Sequence, residues 1–525
     1  MARPVFKPVN QRQQMLLPPD LSDLIPKDHL VRVVDAIIEA IDANELYALY
    51  PGGGASAHDP KMMLKVVVYA YASGVYSSRK IARATRENIH FMWIAGMTPL
   101  DHMTINRFRS ERIRPVFESI FAQVIELLAT RGLITLNTYF LDGTKMEAAA
   151  NKYTFAWKKA TENHQAKLRA KVRAHLDEID RMNEEEDRLA EALPEPEEVT
   201  SEDIAEAARR INERLRARPK DRELKRAKKA FEDDYLPRMK RYEGQLALFE
   251  GRSSFSKTDP DATFMRMKED HMRNGQLKAG YNVQIGTEGQ FVVSYTLHRR
   301  AGDTACMIEH LEHLRRTRGT LPDVVVADAG YGSEENYAYL ESRGVEAFVK
   351  YSMFHKEQKR SFKADPTQPK NWTFDEKSDT WACSGGRTLH FLKEKAAKSE
   401  LGFESITRLY HCDDCSGCPH QAKCTKSEDE SRNRTIYINP SLVDHRNQAE
   451  RRLTSDEGVA LRRRRATDVE TVFGDIKSNW RFKRFTLRGL AKATHEWGLV
   501  ALGHNMRKIA RIVGAKQASM DVAFA

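Results

Sequence analysis

The stretch Leu321–Val349, LPDVVVADAGYGSEENYAYLESRGVEAFV, restricts the fold more than any other part of the chain. Val324, Val325 and Val326 form a β-branched apolar run behind Pro322, which predicts a buried strand, and the run stops on an acid, Asp328. A Gly-Tyr-Gly turn follows. Ser333 then predicts a helix N-cap with Glu334 and Glu335 in the first turn, Gly344 closes the helix, and residues 345–349 predict a second strand. The result is a β-α-β unit with a carboxylate at the carboxyl end of its first strand, the edge at which open α/β sheets carry their chemistry. Alone, Asp328 could simply start a turn; its company elsewhere in the chain argues for more.

A second strand delivers an acid in the same way. Leu136–Leu141 (LNTYFL) runs into Asp142, followed by Gly143, Thr144 and Lys145. Downstream, Tyr281, Val283 and Ile285 alternate with polar residues, Thr287–Gln290 makes a turn and FVVSYTL returns, which predicts a hairpin. Asp303 then predicts the cap of a helix with Ile308, Leu311 and Leu314 inward. Strand, insertion, hairpin, helix, strand, helix, strand is the order of an α/β mixed sheet of the ribonuclease H kind, three antiparallel strands followed by parallel additions.

At 525 residues the chain is long for one domain, and that sheet unit accounts for residues 133–157 and 251–349. Residues 1–132 open on a Pro-rich segment and predict an all-α unit. Leu30, Val33, Val34, Ile37, Ile38 and Ile41 recur at helical spacing; after a Gly52–Gly54 break, helices cover Lys61–Ala72 and Ser77–Arg86. A further basic helix, HMTINRFRSER, follows Asp101. Arg79, Arg83, Asn106, Arg107 and Arg109 on these helices suit a helix-turn-helix-like DNA reader, and equally a bundle with solvated arginines. Residues 158–250 predict a long charged helical insertion, broken near Pro194 and Pro196 and at Pro219, with a weak stripe of Leu168, Val172, Leu176 and Ile179.

Residues 350–450 predict a second, cysteine-bearing insertion. Cys412, Cys415, Cys418 and Cys424 lie in HCDDCSGCPHQAKC, with Cys383 upstream. Thiolates two residues apart can wrap a structural Zn²⁺; unligated thiols and an iron–sulfur cluster are the alternatives, and five cysteines for four places leave the ligand set open. Residues 451–525 predict helices that return to the sheet, opened by a Thr454 and Glu457 capping box. There NWRFKRFTLRGL interleaves Trp480, Phe482 and Phe485 with Arg481, Lys483, Arg484 and Arg488, a mixture able to grip a phosphate backbone and stack on exposed bases.

The formal charge of +11 and a pI near 9.2 point to a polyanionic partner, nucleic acid first. No apolar run reaches the length of a membrane span, and MARPVFKPVNQRQQ lacks the apolar core of a signal peptide, so a cytoplasmic, nucleoid-associated protein with no membrane partner is expected. Six cysteines in so long a chain do not make a secreted disulfide scaffold.

A third acid completes the pattern. Glu470 shares a helix face with Ala466, Phe473 and Lys477 by three-to-four-residue steps. With the Asp142 strand central and the Asp328 strand beside it, the two acids lie side by side, and a helix laid over that edge brings in Glu470. Carboxylates that repel one another become useful once hard cations sit between them. Two Mg²⁺ (or Mn²⁺) ions about 4 Å apart can activate an attacking water or 3'-hydroxyl and neutralise the leaving oxygen of a phosphodiester.

These stretches, YFLDGTKMEAAANKYTFAW around Asp142, GYNVQ at Gly280, VVVADAGYGSEEN around Asp328 and DVETVFGDIKSNWRFKRFTLRGL around Glu470, resemble the DDE transposases of bacterial insertion sequences. The resemblance implies a metal-binding triad of Asp142, Asp328 and Glu470, with Lys477 contacting DNA phosphate. It departs upstream of Glu470: the signature's tyrosine falls on Arg463 and its arginine on Ala466, with Arg465 one place off, which leaves Asp468 and Asp475 as substitutes to weigh against Glu470. The function implied is binding of the element's terminal repeats as double-stranded DNA, Mg²⁺-dependent cleavage at their ends and joining of the 3'-hydroxyls to target DNA, by at least a dimer. A DNA-binding repressor or architectural protein without chemistry, and a metal-dependent nuclease without strand transfer, are the rivals.

Overall fold

Six strands make the central sheet: β1 Thr138–Glu147, β2 Thr263–Arg266, β3 Leu277–Glu288, β4 Phe291–His298, β5 Val324–Ala327 and β6 Glu346–Val349. The structure, a computed structural model, describes residues 20–50, 57–183, 189–190, 194–195, 198–267, 275–427 and 432–523; the Pro-rich opening segment before residue 20, the Gly52–Gly54 break and Pro196 lie outside the described residues. The strand order is β2-β3-β1-β5-β6, with β4 on β3. β1 pairs antiparallel with β3 and parallel with β5, and β5 pairs parallel with β6. This is a mixed α/β sheet consistent with a ribonuclease H-like core.

The parallel ladder between β1 and β5 ends at Leu141 opposite Ala327, so the next residues, Asp142 and Asp328, leave it side by side. The expectation that β1 stops on Asp142 is corrected. β1 continues to Glu147, because its antiparallel partner β3 goes on pairing as far as Gly280 opposite Glu147.

The longer helices of the N-terminal unit and around the sheet are α1 Leu30–Ala40, α2 Pro60–Ala72, α3 Ser78–Glu87, α4 Phe117–Thr130, α5 Met307–Arg318, α6 Glu334–Ser342, α7 Asp456–Arg465 and α8 Leu490–Ala523. The cap of α7 is Ser455, whose Oγ accepts the Gly458 N–H at 3.1 Å, and not Thr454, whose hydroxyl is spent on the Glu450 carbonyl of the preceding helix. α8 packs on α2 and on β4, so the N-terminal helices and the sheet share one apolar core. Close approach needs small residues here: a methyl group at Gly503 would stand 2.8 Å from the Ala72 backbone nitrogen. Buried Glu496 of α8 accepts the Tyr71 hydroxyl at 3.0 Å and the Thr486 and Leu487 N–H groups at 2.8 and 3.0 Å. Asn505 pairs with both backbone groups of Val292, satisfying the outer edge of β4.

Both insertions have cores of their own. Helices Lys158–Asn183, Ser201–Ala217, Arg222–Lys229 and Leu236–Phe249 enclose Leu168, Val172, Leu176 and Ile179 against Ile204, Ile211 and Phe231. The chain leaves and re-enters through paired strands, Phe155–Trp157 against Ser254–Ser256. The cysteine-bearing insertion holds a five-stranded antiparallel sheet around Trp372, Leu389, Tyr410 and Ile436. Among the described residues no helix is long and apolar enough to cross a membrane.

Candidate active site

The two strand acids are fixed locally by their own turns. Asp142 accepts the Gly143 N–H at 2.7 Å, and Asp328 accepts the Gly330 N–H at 2.8 Å. Gly332 lies so close to the Lys350 carbonyl that a methyl there would stand 2.4 Å from its oxygen, so the Gly-Tyr-Gly turn needs that glycine. Into the space above both acids comes Arg465, the last residue of α7, only 6% exposed. Its Nη2 lies 2.9 Å from Asp142 Oδ2 and 3.8 Å from Asp328 Oδ2, and its Nη1 lies 3.7 Å from Glu470 Oε1. One guanidinium therefore gathers the three acids, and its Nε is buried without a hydrogen-bond partner among the described residues.

A π-helical turn, Ala466–Glu470, explains why Arg465 and not Ala466 does this. A π turn closes on the fifth residue where an α turn closes on the fourth. The arginine five residues before Glu470 thus stands over it as one four residues before would in an unbroken α-helix. Arg465, and not Ala466, thereby reaches Glu470.

The competing acids face elsewhere. Asp468 accepts the Gln290 N–H at 2.8 Å, and Asp475 accepts Asn479 Nδ2 at 2.5 Å and lies 3.3 Å from Arg511. Lys477 Nζ donates to Thr144 Oγ1 at 2.5 Å, two residues along β1 from Asp142. Lys350 adjoins the acids as well; burial, then the Arg465 and Arg462 guanidinium groups, hold its ammonium below the ordinary lysine range.

Two family profiles match the chain, a transposase domain (DUF772) over residues 19–111 and a transposase DDE domain over residues 382–510. These two matches support a DDE transposase of an insertion element. The DDE-domain match takes in Arg465, Glu470 and Lys477, while Asp142 and Asp328 precede it. A transposase is an enzyme that acts on DNA, and the family generally uses divalent metal ions. No curated protein and no solved structure matches the chain.

The acids of this transposase fit such an ion by their chemistry, all carboxylate oxygens around a point that already holds a positive charge. As they stand, no three His, Cys, Asp or Glu side chains among the described residues are gathered closely enough to hold one. At the acids, Arg465 takes the intervening space.

The expected DNA-contacting residues divide into two groups. Arg79, Arg83, Arg107, Arg481 and Lys483 are exposed, Arg83 in an ion pair with Glu87 at 2.8 Å. Arg109 is 3% exposed, and its guanidinium donates to Tyr71, to the Tyr76 carbonyl and to Asn106 Oδ1, so it and Asn106 brace the helical unit. Arg484 and Arg488 donate to the backbone carbonyls of Ala148 and Ala149, both at 3.0 Å. Arg484 and Arg488 stay exposed while making these bonds, and of Asn106, Arg109, Arg484 and Arg488 it is Arg109 that is buried. Trp480, Phe482 and Phe485 are buried beside α8, which corrects the expectation that they stack on exposed bases.

The cysteines of the insertion are free thiols around its small core. Cys383 and Cys418 both approach Gly385, and burial, then the neighbouring Cys415, pushes the Cys412 thiol up to about 12.

Proposed function

We propose that this transposase binds the terminal repeats of its own element as double-stranded DNA, cuts at their ends by two-metal hydrolysis and joins the freed 3'-hydroxyls to target DNA, with Asp142, Asp328 and Glu470 as the metal-binding triad. The observation that carries this reading is the convergence of the three acids on one guanidinium, at the end of the parallel ladder. When bound, two Mg²⁺ or Mn²⁺ ions supply the charge that activates the attacking oxygen and neutralises the departing one. The chain's own residues prepare for that charge. Arg465 holds the carboxylates together, and on leaving them it presents a planar fork suited to a phosphate. Lys477, held by Thr144 beside the acids, offers an ammonium to the same backbone. Arg79, Arg83 and Arg107 of the N-terminal helices (residues 1–132) and Arg481 and Lys483 of the C-terminal part (residues 451–525) contact the flanking DNA, and two element ends are paired by a homodimer.

The cysteine-bearing insertion (residues 350–450) holds a structural Zn²⁺ on four of Cys383, Cys412, Cys415, Cys418 and Cys424. Metal analysis of protein purified without added zinc is expected to find about one equivalent per chain; well below one removes the zinc from the proposal.

The test of function is a gel assay with Mg²⁺ on DNA carrying the sequences that flank the gene. Cut and joined products are expected. Cut products with no joining would make the protein a nuclease, and binding with no cutting would make it a DNA-binding factor.

A further inference from the structure

The charged helical insertion separates its charges along the chain. Residues 177–206 carry 14 acids and two bases, whereas residues 209–229 carry 11 bases and three acids. Charge on a helix is ordinarily a solvated face, but the fold treats these two stretches differently. Several of the acids are spent inside the insertion. Asp180 accepts the Leu189 and Ala190 N–H groups at 2.9 and 2.7 Å, Asp203 closes a capping box with Thr200, and Glu206 pairs with Arg209 and Arg210 at 2.6 and 3.3 Å. Of the bases, Arg214 pairs with Asp180 at 3.4 Å. Arg216, Lys220, Arg222, Lys225 and Lys229 are exposed and form no ion pair among the described residues.

These five cations gather at one end of the insertion. The helix Ser201–Ala217 turns through residues 218–221 into the helix Arg222–Lys229. Arg222, Lys225 and Lys229 follow one another at steps of three and four residues, on the face opposite buried Leu224 and Ala227. Their stripe covers about 10 Å of helix axis, over which one strand of B-DNA presents about three phosphates. The groove between the two helices is lined by Arg209 and Arg216 from the first and Lys225 and Lys228 from the second, against two acids, Glu213 and Glu232.

The insertion leaves the sheet at the edge that carries the acids. β1 passes Asp142 and runs on to Glu147, beyond the end of the parallel ladder, before the chain exits through Phe155–Trp157 and returns through Ser254–Ser256. The outgoing helix Lys158–Asn183 has 26 residues, about 40 Å of axis. Arg214 meets Asp180 near the end of that helix, so the basic turn lies at the far end, roughly one turn of duplex from the exit strands.

We propose that the basic end of this insertion, carried by Arg216, Lys220, Arg222, Lys225 and Lys229, is a further contact for double-stranded DNA that grips the phosphate backbone without reading sequence. It rests on the reading that the chain binds double-stranded DNA, and it is independent of which acids hold metal.

The test is fluorescence anisotropy with a labelled duplex of about 40 base pairs of arbitrary sequence, titrated with the full-length protein over a series of salt concentrations. Wild type is compared with a variant in which the five cations become Gln, and with a control that loses the same charge elsewhere, Lys359, Arg360, Lys363, Lys393 and Lys395 to Gln. All five control residues are exposed on the cysteine-bearing insertion. The first variant is expected to bind about tenfold or more weaker, and its plot of log K against log salt to flatten by about 3 or more, at wild-type circular dichroism. Flattening by less than about 1, or equal flattening in the control, would overturn the proposal. Loss of self-association in sedimentation at an unchanged salt slope would make this surface a contact between copies of the chain, and overturn it too. Wild type that fails to bind the duplex at all would defeat the DNA-binding reading, and the proposal with it. Should the fivefold variant not fold, Lys225→Glu reverses one exposed charge; weaker binding supports the proposal, and unchanged binding overturns it.

Discussion

Arg465 is the residue on which the site turns. Four consecutive arginines, Arg462–Arg465, end α7, and they go to different places: Arg462 over the Phe354 ring, Arg463 to the exposed surface, Arg464 over the Phe140 ring, and Arg465 onto the acids. Their run in the sequence carries no sign of which one is buried, since that depends on where the π turn falls. Asp142 and Asp328 were legible because each follows an apolar run that only a strand explains. Asp303 was expected to cap α5 because an acid before a helix is the ordinary cap signal; Cys306 stands at that cap, and the Asp303 carboxylate accepts instead from Asn282 and Gln284 of β3, which nothing local reveals. Removing the cation should expose the cost of three neighbouring carboxylates. Arg465→Met is expected to lose about 3 kcal/mol of stability in chelator, as a buried ion pair does when one partner goes. It should recover more of that on adding Mn²⁺ than wild type gains, as urea unfolding with and without the metal would measure. An equal response of both proteins to Mn²⁺ would mean that Arg465 and the ion do not share a place.

At the scale of elements, α8 joins the N-terminal helices to the sheet and carries three buried polar anchors. Glu496 receives the Tyr71 hydroxyl and two backbone N–H groups, so Glu496→Ala leaves buried donors without an acceptor. It is expected to cost about 3 kcal/mol or more in urea unfolding. His504 donates from Nε2 to the Gln290 carbonyl at 2.8 Å, and burial pushes its pKa down from 6.5 to about 4. A histidine held neutral in the fold contributes its full stability above the unfolded value of 6.5. That contribution is lost as the pH falls from 6.5 toward 4, because the unfolded chain takes up the proton first. A shift of that size amounts to roughly 3 kcal/mol at most. Urea unfolding at pH 7.5, 5.5 and 4.5 should show the decline, and His504→Gln should flatten it; an unchanged slope would place the acid sensitivity elsewhere. The apolar period of this region was visible in the sequence. The burial of Trp480, Phe482 and Phe485 was not, because alternation with cations looks the same whether the rings face α8 or solvent.

In the whole molecule, one core built from the N-terminal helices, the sheet and α8 supports the acids, and the two insertions close cores of their own. The charged insertion was legible as helices and by its stripe. Its compact core was not, since Phe231 and Ile211 meet that stripe only after the chain has folded back. Trp157 pairs with Ser254, so residues 158–253 can be replaced by an Asn-Gly turn. The shortened protein is expected to melt within about 4 °C of the full chain by calorimetry, and a larger loss would show that the insertion props up the sheet. The fold brings Asp142, Asp328 and Glu470 to one guanidinium, and the proposed function makes these three the metal-binding triad. The most direct measurement of that is Mg²⁺-dependent cleavage of element-end DNA by Asp142→Asn, Asp328→Asn and Glu470→Gln, beside Asp468→Asn and Asp475→Asn. Each of the first three is expected to lose about a hundredfold or more in rate, and the last two, once shown to be folded, to lose little. Cleavage that survives in any of the first three, or falls as far in folded Asp468→Asn or Asp475→Asn, would contradict the assignment of the site.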